Sequence, residues 1–156
     1  MVETVFNRLE NIENLHILAP EHKNRLGVIS FYIEDLHFNL GVKLLNDHFG
    51  IQTRGGCSCA GTYGHYLLHV DQATSADIIS QITIGDLVKK PGWIRMSIHP
   101  TTTTQEINQV CDAIIALAKE HKNWAKEYTY NAKSNEFIHA NENTFTKDLV
   151  ASWFEL

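Results

Sequence analysis

The chain has 156 residues, of which 13 are basic, 18 acidic and 44% hydrophobic, and its formal net charge is −5 with neutral histidines. This length predicts one compact domain, or at most two, with a real hydrophobic core. The mild acidity and the lack of a basic block argue against nucleic acid or an anionic membrane as the main partner. No run approaches the ~18 apolar residues of a membrane helix, and the composition is not that of a disordered chain.

The cellular location is predicted from the N-terminal segment and the cysteines. Residues 1–14 contain neither an apolar core segment nor a small-residue cleavage site, so no signal peptide is visible. Three cysteines, an odd number, argue against a disulfide framework. These features predict a soluble, cytoplasmic protein.

The sequence of the first third of the chain predicts two helices and short strands around them. In chain order these are a weak helix at 2–14, a short apolar run at 15–18, a strand at 26–33, a helix from about His37 to Phe49, and a short strand at 51–54. The nearly continuous apolar run LGVISFYI at 26–33 predicts a strand that is covered on both faces. Gly50 is a good C-terminal stop for the helix before it.

The sequence of the remainder of the chain predicts a similar alternation of helices and strands. The predicted elements are a helix at 75–86, a turn at 91–92, a strand at 93–98, a helix at 104–121, a hairpin around 132–135 and an amphipathic tail at 148–156. Thr103 and Glu106 have the spacing of a capping box at the start of the longest helix. Strands and helices that alternate loosely favour an α/β or α+β fold over an all-α fold.

The most informative stretch is IQTRGGCSCAGTYG, residues 51–64. A strand delivers Arg54, a glycine pair permits a tight turn, and Cys57 and Cys59 follow. An arginine close to a cysteine can lower the pKa of the thiol, and the thiolate is the nucleophilic form. The stretch therefore predicts either a reactive, substrate-facing cysteine loop or a glycine-rich turn with two small buried thiols.

A metal site is a further interpretation of the same region. Cys57, Cys59, His65 and His69 are close in sequence, and a spacing of four residues predicts that the two histidines share one helix face. The single residue between the cysteines is fewer than the two to four typical of a structural zinc knuckle. We therefore expect no bound metal and keep metal binding as an alternative.

The second candidate site lies on the predicted strand within GWIRMSIHP, residues 92–100. Because side chains alternate along a strand, Ile94 and Met96 fall on a core face, whereas Arg95 and Trp93 fall on the other face. The planar guanidinium of arginine suits bidentate recognition of a carboxylate. The other interpretation is an arginine on a solvent-facing strand.

Two motifs together resemble a known family. IQTRGGCSCAGTYGHYLL and, some thirty residues later, KPGWIRMSIHPTTTTQEI are similar to the C-terminal small domain of class V aminotransferases. LGVISFYIEDLHFNLGVKLLNDHFGIQTR is similar to the strand, helix and strand that precede the family's cysteine loop, so the resemblance spans about residues 15–122. This family of fold-type I, pyridoxal-phosphate-dependent enzymes includes the cysteine desulfurases and selenocysteine lyases.

The resemblance implies roles for three residues. Cys59 falls where desulfurases carry the nucleophilic cysteine, and Arg95 falls where the family binds the α-carboxylate of its amino-acid substrate. Arg54 falls on the arginine at the entrance to the cysteine loop. The family's large domain carries its cofactor lysine in a Ser-x-His-Lys-like context, which neither His-Lys pair of this chain, at 22–23 and 121–122, reproduces.

The resemblance therefore implies an α+β fold, with a small, mainly antiparallel sheet packed against helices. Residues 1–14 are expected to be the remnant of a connecting helix, and residues 15–156 the C-terminal small domain of an aminotransferase or desulfurase. We expect pyridoxal phosphate in the full-length parent enzyme and not in this chain, which should be inactive alone. A face left uncovered by the missing large domain should favour homodimers.

Two other classes of function stay open at this point. One is a stand-alone binding module for a protein partner or a small acid. The other is the Cys/His metal-binding domain described above.

Overall fold

The structure is a computed structural model that describes residues 1–57, 61–88, 90–132, 134–141 and 152–154. In chain order the elements are α1 (Val2–Leu9), β1 (Leu15–Ile17), β2 (Val28–Ile33), α2 (Phe38–Phe49), β3 (Arg54–Gly56), α3 (Gly61–Leu67), α4 (Gln72–Thr83), β4 (Trp93–Ser97), α5 (Thr104–Trp124), a 3-10 turn (Ala125–Glu127), β5 (Tyr128–Asn131) and β6 (Glu136–His139). This is the predicted α+β class.

The central sheet has four strands in the order β1-β2-β4-β3, and every neighbouring pair is antiparallel. The β5–β6 hairpin forms a second, two-stranded sheet. The antiparallel sheet and the hairpin around 132–135 both confirm the sequence-based predictions. Within the central sheet, β4 lies between β2 and β3 and so brings distant parts of the chain together.

One face of the central sheet packs against helices α1, α2 and α5. The buried side chains that the two layers share are Val5, Phe6, Leu9, Ile29, Phe31, Leu44, Leu45, Ile94, Met96, Cys111, Ile114 and Leu117. Helix α1 is part of this core, since its three inward residues are fully buried. The assignment of residues 1–14 to a connecting helix stays a prediction.

The helix ends follow local chemistry that the sequence shows. The Thr103 hydroxyl accepts from the Glu106 amide at 3.2 Å, and the Glu106 carboxylate accepts from the Thr103 amide at 2.7 Å, which confirms the capping box. Gly50 ends α2 with a φ of 66°, a left-handed conformation that costs glycine little. At the start of α2, Nδ1 of His37 accepts from the Asn39 amide at 3.2 Å.

Three predicted elements differ from the structure. The strand predicted at 51–54 is instead β3, Arg54–Gly56, so the glycine pair lies in the strand and pairs with β4. The prediction that β2 is covered on both faces is wrong, because Ile29 and Phe31 are buried while Val28 is 45% exposed. Buried and partly exposed residues alternate along β2, and the partly exposed face includes the polar residues Ser30 and Tyr32. Helix α4 begins and ends earlier than predicted, because the Asp71 carboxylate accepts from the Thr74 amide at 2.7 Å and caps it.

Within the described part of the chain, no helix is both long and apolar enough to cross a membrane. Most of the predicted amphipathic tail, residues 148–156, lies outside the described residues.

Candidate functional site

The candidate site lies on the face of the central sheet that is turned away from the core. Strand register sets Arg95 directly opposite Arg54 on one side and directly opposite Ser30 on the other. Directly opposite residues of an antiparallel pair share a face. The residues on either side of Arg95 in the chain, Ile94 and Met96, are buried in the core. Arg54, Arg95 and Ser30 therefore form a row on the open face.

The two arginines of this row have no acidic partner in the described structure. No ion pair with a described carboxylate involves Arg54 or Arg95. The Nε atom of Arg95 is buried and makes no hydrogen bond, which is costly for a guanidinium donor. Like charges opposite one another are destabilising, so this row is suited to an anion that bridges or joins the two groups.

A cavity of about 280 Å³ adjoins Arg95. The described residues that line it are Leu18, Ala19, Arg25, Ser30, Tyr63, Leu67, Trp93 and Arg95. They come from the end of β1, the segment before β2, the inner strands and α3. The cavity therefore opens on the β2 side of Arg95, whereas Arg54 flanks it on the β3 side.

Helix α3 forms the wall of this cavity because it packs closely on Trp93. A Cβ atom at Gly64 would lie only 3.3 Å from Cζ3 of the indole, so glycine allows the helix to approach. Trp93 lies on the same face of β4 as Arg95, but it is only 5% exposed because α3 covers it. The close contact brings Tyr63 and Leu67 over the open face.

Arg25 contributes a second positive charge that the sequence did not single out. Its guanidinium donates to the backbone carbonyls of Leu18, at 3.2 Å, Ala19 and His22. Its Cζ atom stands 5.1 Å from the ring centroid of Phe6. The charge is thus held by neutral carbonyls and an aromatic ring, and no carboxylate of the described residues pairs with it. The three carbonyls lie within seven residues of Arg25, so the local loop between β1 and β2 creates this arrangement, and no known short motif signals it.

Of the two cysteines in the glycine-rich loop, Cys59 lies outside the described residues. The Cys57 thiol donates to the carbonyl of Pro91 at 2.6 Å. Burial raises the pKa of this thiol, and the charge of Lys90 offsets only part of that increase. Cys57 is therefore a protonated thiol whose proton is engaged, which is the opposite of an activated nucleophile.

The described residues do not support the metal interpretation. Helix α3 ends at Leu67, and His69 follows it with a φ of 53°, so the prediction that both histidines share a helix face is wrong. His65 instead has its Nδ1 atom 3.0 Å from the Ser75 hydroxyl. Among the residues the structure describes, no group of three His, Cys, Asp or Glu side chains is arranged to hold a metal ion.

The class of protein follows from comparison with family models. The model of the family described as Aminotransferase class-V matches residues 1–110, so the chain belongs to the class V aminotransferase family. This confirms the family that the two motifs predicted, while the placement as a C-terminal domain stays a prediction. No curated protein matches the chain.

Family membership raises the question whether these residues fit pyridoxal phosphate. The described residues that line the cavity at Arg95 include neither a lysine for a covalent link nor a carboxylate for a pyridine nitrogen. Lys23 is paired with Glu10, and Lys122 is paired with Asp35 at 2.9 Å, so the lysines of both His-Lys pairs are engaged at the surface. The described lining of this cavity therefore does not fit the cofactor.

Proposed function

We propose that this chain binds the carboxylate of an amino-acid substrate for a class V aminotransferase or desulfurase. In this role it is the C-terminal small domain of the enzyme. Arg95 is the principal ligand of the carboxylate, and Arg54 assists from the adjacent strand. Ser30, on the other side of Arg95, offers a hydroxyl to the same ligand.

The observation that carries this proposal is the opposed pair Arg54–Arg95 on the open face. The partly buried Arg95 has an unpartnered Nε, and the described part of the chain provides no acid for either guanidinium. A substrate carboxylate supplies the missing negative charge and accepts two parallel hydrogen bonds from a guanidinium fork.

The rest of the enzyme's machinery is proposed to come from a large domain that is not in this chain. That domain would bring pyridoxal phosphate and its lysine, since the cavity at Arg95 offers no described lysine. The chain alone is therefore proposed to be inactive. In a desulfurase Cys59 would accept the substrate sulfur, and in a transaminase it would line the site. Unpaired thiols at Cys57 and Cys111 suit a reducing, cytoplasmic location.

The proposal is tested by titration of the full chain with propanoate at low salt, followed by backbone amide shifts in β3 and β4. We expect saturable shifts with propanoate and none with propanamide. Arg95→Lys keeps the charge and loses the fork, so affinity should fall about tenfold. Arg8→Gln is the matched control, because Arg8 pairs with Asp112 between helices α1 and α5.

A titration in which propanoate produces no saturable shift would show the proposal to be wrong. So would an Arg8→Gln variant that weakens binding as much as Arg95→Lys, because Arg95 lies on the open face and Arg8 does not.

A further inference from the structure

The cavity beside Arg95 is apolar despite its two cationic neighbours. Of its eight described lining residues, five present aliphatic or aromatic groups, namely Leu18, Ala19, Tyr63, Leu67 and Trp93. Small-ligand sites in proteins typically combine such a lining with a few polar groups that fix the orientation of the ligand. Arg95, Arg25 and Ser30 are the polar groups here.

The direction in which a bound acid would lie follows from the sheet. Arg54, Arg95 and Ser30 form one row across three strands, and the backbone amide of Leu18 bonds to the Ser30 carbonyl at 2.9 Å. The row therefore continues from the arginine pair into the cavity. A carboxylate held at Arg95 has the cavity immediately beside it on the β2 side.

The size of the cavity limits the ligand. At about 280 Å³ it is just below the range that is usual for ligand sites, which is roughly 300–1,000 Å³. It suits a side chain of amino-acid size and is too small for a nucleotide. The apolar walls of Leu67 and Trp93 favour a hydrocarbon group over a charged one.

A second carboxylate is poorly served at the far end of the cavity. Arg25 is the other cation in the lining, and its Nε and both terminal nitrogens already donate to three backbone carbonyls. These three bonds fix the plane of the guanidinium, so its two remaining N–H groups cannot turn toward a second carboxylate without breaking them. The positive charge of Arg25 instead adds to the general attraction of the pocket for one anion.

We infer that the substrate is a monocarboxylate with an aromatic or branched aliphatic side chain. Arg95 binds its carboxylate, and the side chain fills the cavity beneath Tyr63 and Leu67. This inference rests on the proposed function, because it assumes that Arg95 is the carboxylate ligand. It adds the substrate class and names α3 as the element that determines it.

The experiment compares four probes on the full chain by the same amide-shift titration: 3-phenylpropanoate, propanoate, 3-phenylpropanamide and succinate. We expect 3-phenylpropanoate to bind at least tenfold more tightly than propanoate, because the phenyl ring leaves water for the cavity. Succinate should bind no more tightly than propanoate. The amide should bind at least tenfold more weakly than 3-phenylpropanoate.

Variants locate the effect in the cavity. Leu67→Ala should reduce the advantage of 3-phenylpropanoate over propanoate at least threefold, because the larger ligand loses more contact with this wall. Tyr63→Ala tests the same wall at a residue that is 58% exposed, where substitution should change stability little, and it should reduce the advantage in the same way. Ile79→Ala, on the exposed surface of α4, is the matched control and should change neither affinity.

The outcomes distinguish failure of the inferred substrate class from failure of the proposed carboxylate binding. Equal affinities for the two monocarboxylates, tightest binding of succinate, or a preference that survives both α3 variants would overturn the inference and leave the proposed function in place. Failure of every carboxylate to bind, or equal binding of 3-phenylpropanoate and its amide, would overturn the proposed function itself.

Discussion

Arg54 and Arg95 stand directly opposite one another in the β3–β4 ladder, on the face of the sheet away from the core. The described structure gives neither of them an acidic partner. The fold therefore maintains two like charges at positions where an antiparallel sheet normally favours opposite charges. We expect this arrangement to lower the stability of the free protein and an anion bound between the two arginines to restore it.

The first prediction tests this cost. Arg54→Gln should stabilise the free protein by about 0.2–1 kcal/mol, because the substitution removes the like-charge pair at an exposed position. Urea unfolding at low salt measures the change through the midpoint at constant slope. Propanoate should stabilise the wild type more than this variant. A variant that is less stable than wild type without anions would contradict the argument.

The parts of the fold that the sequence predicts are those with local causes. The capping box at Thr103 and Glu106 and the left-handed Gly50 depend only on neighbouring residues, and both are confirmed. The alternation along β4 likewise separates Arg95 from the core residues Ile94 and Met96. These features need no knowledge of distant parts of the chain.

The remainder depends on long-range packing. Arg54 and Arg95 meet because β3 joins β4 in one particular register, and a shift of one residue would send Arg54 to the helix side. The carbonyl contacts of Arg25 are local, but its contact with the Phe6 ring depends on packing against α1. The sequence does contain one signal of the open face of β2, because Ser30 is a polar residue within an apolar run.

The second prediction concerns the reactivity of Cys57. Because its pKa is raised by burial and its thiol donates to Pro91, it should react with iodoacetamide at pH 8 several-fold more slowly than a free thiol such as glutathione. A Cys59→Ser background isolates its signal, and Cys111, which is buried, should not react. Mass spectrometry of the modified peptide gives the rate, and alkylation faster than glutathione would refute the assignment.

The third prediction concerns the cofactor. Incubation with pyridoxal phosphate and reduction with borohydride should label no single lysine stoichiometrically, because the described lining of the site contains none. Peptide mapping should find low, scattered labelling at exposed lysines such as Lys126. One fully labelled lysine, with loss of that label in its arginine variant, would show that the chain holds the cofactor after all.

The fourth prediction concerns self-association. Large apolar side chains are exposed on α3 and α4 and in the loop that follows α4, and they include Tyr66, Ile79 and Ile84. Exposed apolar surface of this kind favours association when no partner covers it. Sedimentation over a hundredfold range of concentration should show dimers that Tyr66→Ser together with Ile79→Ser weakens. A chain that stays monomeric throughout that range would contradict it.

The last prediction concerns His37, whose ring stacks on Phe38 with centroids 4.5 Å apart and lies near Tyr130 and Phe137. Burial lowers the pKa of His37, and the backbone of Leu87 offsets part of that decrease. Its neutral Nδ1 also accepts the capping hydrogen bond of α2, which a protonated ring could not do. The folded protein therefore holds this imidazole neutral at a pH where the unfolded chain protonates it.

The stability of the folded protein should therefore depend on pH through His37. The stability that neutral His37 contributes is fully present above its unfolded pKa, about 6.5, and is lost as the pH falls from there to the folded value. His37→Asn keeps a capping acceptor and does not titrate. The difference in unfolding free energy between wild type and this variant should therefore decrease from pH 7.5 to pH 5.5, by at most about 1.4 kcal/mol per pH unit. Urea midpoints at intervals across that range measure it, and parallel profiles for the two proteins would show that His37 titrates alike in both states.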